Sequence, residues 1–270
     1  MISVFNEEEY ALDVLKNGFI NNNKKGLDIF ILAKYYKFKQ NKNKKECKEQ
    51  LISFCQAHME DYNNSEMYRN INYAVNTIYK KDIKFLDIDY IEFNQYELEY
   101  IKNTNLSDIG KQLLFCLWCC NKLNIKAGQS DKWIKIDYLK LKTFCNFKNG
   151  NMATLLNELY KNNMIFVSDS CAICLTFLDE YNDNFNKIIE AENKNDISPI
   201  QSYYIDDFST CGLWWKKYNG DKKIINCQEC GVLTVRNSNR QKYCKDCAKE
   251  KELNGKLLYN KTYYQQHKIN

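Results

Sequence analysis

The chain is short of the residues that break structure and of the side chain most used to move protons. Its 270 residues include one proline, Pro199, nine glycines and two histidines, His58 and His267. Two histidines supply a nucleophile–base pair poorly. No Gly-x-Gly-x-x-Gly series occurs, and Gly110-Lys111 runs into Gln112 rather than the Ser or Thr of a phosphate loop. His58-Met59-Glu60 matches the His-x-Glu of zinc deaminases, but the Pro-Cys-x-x-Cys those enzymes need does not follow. With no catalytic set in sight, the reading is of a protein that is not an enzyme. No run approaches the roughly 20 apolar residues of a membrane helix. Met1 to Tyr10 carries Glu7, Glu8 and Glu9 in place of a basic start and an apolar stretch, so no secretory signal is expected.

What the chain has instead is cysteine, thirteen of them. An odd count without a secretion signal fits reduced thiols in a cytoplasmic protein better than a disulfide framework. Four are arranged as two pairs, Cys227-Gln228-Glu229-Cys230 and Cys244-Lys245-Asp246-Cys247, with 13 residues between them. A Cys-x-x-Cys turn lets two sulfurs face one ion, and two such turns make a four-thiolate zinc site. Gly231 after the second cysteine can take a positive φ and let the chain curl around the metal. Between the pairs, Val232 to Val235 reads as a strand, Asn237-Ser238-Asn239 as a turn and Gln241 to Tyr243 as the return strand. The expectation is a zinc ribbon or knuckle with Zn in a structural role, since four thiolates leave no place for a reactive water. The remaining cysteines read otherwise. Cys116, Cys119 and Cys120 share a helix face and suit core packing. Cys171 and Cys174 would point to opposite faces of a strand and share no ion.

The charge is unevenly placed. Residues 215–270 hold 13 Lys and Arg against 5 Asp and Glu, a net of +8, whereas the whole chain carries +5. Zinc with four thiolates would lower the basic end by two charges. Lys216, Lys217, Lys222, Lys223, Arg236, Arg240, Lys242 and Lys245 are therefore the expected phosphate-contacting residues. Beyond Cys247, a basic, Tyr-rich helix is expected from Ala248 to Lys268, with a weak point at Gly255.

Apolar spacing predicts a mainly α protein with a helical domain over 1–106. Its helices include Glu7 to Asn17 ending at Gly18, one capped by Ser65, and one opened by a capping box at Asn94-Gln95-Tyr96-Glu97. Residues 107–179 follow the order helix, strand, helix, turn, helix, hairpin, which is that of a winged helix-turn-helix. There Trp133 to Ile136 is a strand, Asp137 a cap, and Asn151 to Lys161 the recognition helix. Asn149, Asn151, Thr154, Asn157 and Lys161 face outward, with Lys148 just ahead. Asn can pair with adenine edges in a major groove. The helix is nearly uncharged, however, which favours packing or protein contact at least as much as base readout. Residues 180–202 form an acidic linker or exposed helix, broken at Ser198 and Pro199. Residues 203–270 comprise an aromatic segment, the four-cysteine ribbon and the basic helix. The aromatics from Tyr203 to Trp215 are expected to dock the ribbon to the rest, with base stacking as the rarer use.

The stretch Met152 to Val167 resembles the third helix and first wing strand of bacterial winged-helix domains. Trp133 to Val167, together with Asp206-Asp207-Phe208, Cys227-x-x-Cys230-Gly231 and Lys242-Tyr243-Cys244-x-x-Cys247-Ala248, makes the chain resemble phage or prophage proteins of low-GC Gram-positive bacteria. Those join a helical region, a winged-helix-like segment and a zinc ribbon. The abundance of Asn, Lys, Ile and Tyr, a mark of AT-rich coding, points the same way. The resemblance implies a phage context rather than an activity; with the basic end from Lys216 onward, the expectation is an accessory factor in phage replication or transcription that binds nucleic acid, DNA more than RNA, and no membrane. The alternative is a protein-interaction adaptor or inhibitor that uses the winged helix and the aromatic segment as its docking surface.

Overall fold

The computed structural model describes residues 6–20, 25–59, 64–128, 133–135, 137–147, 151–192, 200–208 and 211–267, with side chains omitted for 64–66, 187–192 and 260–267. Glu60, Ile136, Lys148, Asn149, Ser198, Pro199 and Lys268, and the side chain of Ser65, lie outside the described set. Among the described residues there are eleven helices and seven short strands. None of these helices is long and apolar enough to cross a membrane. The chain divides into two compact units, Ile2–Asp89 with Lys126–Gln129, and Tyr90–Ile125 with Ser130–Asn270.

The first unit is a helical bundle of α1 (Glu7–Asn17), α2 (Lys25–Phe38), α3 (Lys44–His58) and α4 (Asn64–Lys80). Local sequence sets the helix ends. The Asn6 side chain accepts from Glu9 N at 2.9 Å. Gly18 closes α1 at φ 82°, a conformation that favours glycine. Asn43 and Glu46 form a reciprocal capping box that opens α3. Helix α2 packs on α1, α3 and α4 and is apolar nearly all round, as a central helix must be. Its two buried charges are partnered. Asp28 accepts from Tyr10 Oη at 2.6 Å and Ile20 N at 3.0 Å. Lys34 Nζ lies 2.5 Å from Glu7 Oε2, which also accepts from Leu86 N at 2.8 Å.

The second unit starts at β1 (Ile91–Asn94), which pairs antiparallel with β5 (Ser202–Ile205), Ile91 opposite Ile205. That pairing draws residues 90–106 away from the helical unit, so the division falls at Asp89 rather than at Leu106. The Asn94–Glu97 capping box then opens α5 (Gln95–Asn103). Next come α6 (Asp108–Lys126), β2 (Trp133–Ile134), α7 (Tyr138–Phe144), α8 (Met152–Lys161), β3 (Ile165–Val167) and β4 (Ile173–Leu175). The three strands form one antiparallel sheet in the order β2-β4-β3. Asp137 caps α7 through Leu139 N and Lys140 N. The segment 180–202, read as an acidic linker or exposed helix, opens within helix α9 (Leu178–Glu192), which Tyr181 holds against Trp118 and Tyr100.

The core of this unit is aromatic. Trp118 of α6 meets Phe93, Phe177 and Tyr181 edge-on. Phe115 stacks on both Trp214 and Trp215 of α10 (Cys211–Tyr218), with centroids at 5.4 and 5.0 Å. Trp215 is 4% exposed, so it is spent on packing and has no free face for a base. The start of α10 presses on the end of α7. A Cβ on Gly212 would lie 2.0 Å from the Cys145 carbonyl oxygen, and the buried Gln112 side chain donates to that same oxygen at 2.6 Å. Backbone cannot yield as a side chain does. Gly212→Ala is therefore expected to cost about 3 kcal/mol, the upper end of overpacking effects, read as a lowered urea midpoint.

Candidate metal centre and basic groove

The last elements are β6 (Ile224–Asn226), β7 (Leu233–Val235) and α11 (Lys245–His267). The hairpin pairs Ile224 with Val235 and Asn226 with Leu233. It therefore embraces the first Cys pair instead of lying between the two pairs. The stretch Gln241 to Tyr243 is not a return strand. Gln241 is drawn instead to its own loop, donating from Nε2 to Tyr243 O at 3.1 Å and accepting from Asn237 N at 2.7 Å. Ile224 has the apolar, branched side chain that suits burial against α10, which contacts both strands.

Cys227 and Cys230 sit at the hairpin tip. Cys227 N donates to Val232 O and Gly231 N to Cys227 O, both at 2.9 Å, while Gly231 takes φ 75°. Cys244 is the residue before α11, and its sulfur accepts from Cys247 N at 3.4 Å. The helix thus begins within the second pair, ahead of Ala248, and its N-terminal N–H groups favour a thiolate there. The four Sγ atoms lie within 4.8 Å of one another. Cys230 Sγ and Cys244 Sγ are 3.8 Å apart. A tetrahedron with bonds of about 2.3 Å has edges of about 3.8 Å, so the donor set fits a single ion. Among the described residues this is the one group of thiol, imidazole or carboxylate donors close enough to hold a metal. The backbone N–H of Cys230, helped by those of Cys244 and Glu229, pulls the Cys227 thiol down to about 6. The neighbouring thiols Cys244 and Cys230 push Cys247 up. Four bare thiolates repel one another, and a cation relieves that repulsion.

The expected phosphate-contacting residues fall into three settings. Lys222, Arg240, Lys242 and Lys245 are exposed around the hairpin and its loop. Lys217 and Arg236 are engaged in the fold. Lys217 Nζ donates to Asn226 Oδ1, and Arg236 donates to Ser238 O at 3.1 Å and to Asn239 O. The Arg236 guanidinium therefore holds the 236–241 loop closed. Lys216 and Lys223 line a recess of about 890 Å³, together with Lys102 and Lys111, which were not among the expected phosphate-contacting residues. Its acids are Asp108 and Asp221. Lys102 ends α5 and Lys111 belongs to the start of α6. Nothing in their local sequence marks them, because only the docking of α10 and the hairpin brings them opposite Lys216 and Lys223.

The α8 residues are not in this recess. Thr154, Asn157 and Lys161 are exposed. Asn151 is the N-cap, and its side-chain oxygen accepts from Ala153 N at 3.0 Å, which takes up the acceptor that base readout would use. In comparisons with known proteins, no family model, no curated protein and no solved structure matches the chain.

Proposed function

We propose that this protein is a non-enzymatic nucleic-acid-binding protein whose C-terminal module is a zinc ribbon. Cys227, Cys230, Cys244 and Cys247 would hold the ion, and bound zinc would supply cross-linking and no chemistry. The observation that carries the reading is the four-cysteine cluster set within a segment of net charge +8. The order of elements from α6 to β4, with β2 on the far side of the hairpin, supports reading residues 107–179 as a winged helix. The setting we infer is the cytoplasm, in phage replication or transcription. All thirteen cysteines are free thiols, which is compatible with a reducing compartment.

Equilibrium binding of the zinc-loaded protein to random duplex and single-stranded DNA, across a salt titration, tests this. Affinity is expected to fall steeply with salt, with a log–log slope of about −0.7 to −0.9 per phosphate contacted. Absence of binding at low salt sinks the reading. A protein-docking role would then come forward, on one observation. Trp133 and Phe166 flank Cys174 on one face of the three-stranded sheet, and they are 37% and 47% exposed. Two rings left in solvent on a sheet face suit a partner's apolar surface.

A further inference from the structure

We propose that the recess between α5–α6 and the α10–hairpin segment holds an unpaired stretch of a nucleic-acid strand, so that the protein selects single strands over duplex. The inference rests on the nucleic-acid reading above and adds strandedness to it. A recess of about 890 Å³ falls within the range of small-ligand sites. It has two walls of like charge. Lys102 and Lys111 stand on one, Lys216 and Lys223 on the other, against two carboxylates. Asp221 is partly spent, since its Oδ1 accepts from Lys223 N at 2.9 Å. Lys216 and Lys223 have no ion-pair partner among the described residues, so they are available to an incoming anion.

Apolar side chains share the lining with these charges. Ile109, 49% exposed, lines the recess, as do Phe147 and the buried Ile224. Asn146 and Asn219 supply amides. Lysines interleaved with apolar side chains and amides fit a ligand that presents phosphates and a flat apolar face together. An unpaired nucleotide does so. A duplex does not, because its base faces are stacked inside and it offers a protein only phosphates, sugars and base edges. The same chemistry could come from a free nucleotide, and the experiment separates the two sources.

The test is fluorescence anisotropy of the full-length, zinc-loaded protein with labelled oligothymidylate and with duplex of equal length, and competition by thymidine monophosphate. Two variants bracket the recess. Ile109→Trp fills it from an exposed position without touching charge. Lys216→Glu with Lys223→Glu reverses one wall. Lys45→Glu, on α3, controls for bulk charge. The strand is expected to bind at least about tenfold tighter than duplex, and each recess variant to lose about tenfold for the strand. The control should lose nothing. Zinc content and thermal midpoint are read on each variant, so a misfolded one is recognised and the other decides. If duplex binds as well as the strand, or if both folded recess variants bind the strand like wild type, the inference is overturned and the nucleic-acid reading stands. If monophosphate displaces the strand at equal concentration, the recess is a free-nucleotide site and strand selection falls. If neither strand nor duplex binds wild type, both readings fall together.

Discussion

Removing the metal from the Cys227–Cys230–Cys244–Cys247 cluster is expected to unfold the β6–β7 hairpin and its loop while the helices stay folded. Residues 221–247 bury little of their own. Within them Ile224 and Cys227 are the only hydrophobic residues in the core. The rest of the segment is half-buried or exposed, and loop contacts such as Gln241 to Tyr243 are local and weak. A hairpin of this size without a core is marginal in water. The ion must therefore provide most of what holds it, on the scale of about 10 kcal/mol seen for structural zinc. The helical unit is a separate compact unit and the rings that meet Trp118 lie outside residues 221–247, so neither is expected to depend on it. The measurement is one zinc per chain in the purified protein, followed by amide exchange with and without a strong chelator. Protection should vanish at Ile224–Asn226 and Leu233–Val235 and persist in α2 and α6. Cys247→Ser should behave like the chelated protein. A hairpin that keeps its protection without metal would show that the four cysteines are packed thiols and no metal centre.

Glu7→Ala should destabilise the helical unit by about 3–5 kcal/mol, a large part of a typical domain's stability. Lys34 is 4% exposed and Glu7 5%. Truncating Glu7 strands an ammonium in the bundle and also orphans Leu86 N, which donates to the same carboxylate. Replacing both partners, Glu7→Leu with Lys34→Met, removes the stranded charge and is expected to recover most of the loss. The check is the urea midpoint of the three proteins. A single variant within about 1 kcal/mol of wild type would show that water reaches Lys34 and that the pair is effectively a surface one.

The helix ends were legible in sequence because caps are local chemistry. Gly18, Asn94–Glu97 and Asp137 act within a few residues of themselves, so spacing suffices to find them. The four cysteines were legible for the same reason: two-residue gaps fix where pairs of sulfurs point. Strand partners were less so. The Val232 to Val235 strand was found, but its partner was sought downstream at Gln241 when it lies upstream at Ile224. Both directions offered residues at hairpin distance, and burial against α10 selected Ile224.

By itself the sequence determined a mainly helical chain, a cluster of four thiols able to hold one ion, and an excess of positive charge at the C-terminal end. Each follows from residue type and short spacing. The tertiary structure alone decided three further things. It joined Ile91 to Ile205, which moved the domain division to Asp89. It spent Trp215 and Arg236 on packing and loop closure. It also set Lys102 and Lys111 across a recess from Lys216 and Lys223. Apart from the Arg236 contacts, which reach only Ser238 and Asn239, these bring together residues about a hundred positions apart. Their energy comes from burial once the elements meet, and local spacing carries no record of which elements will meet.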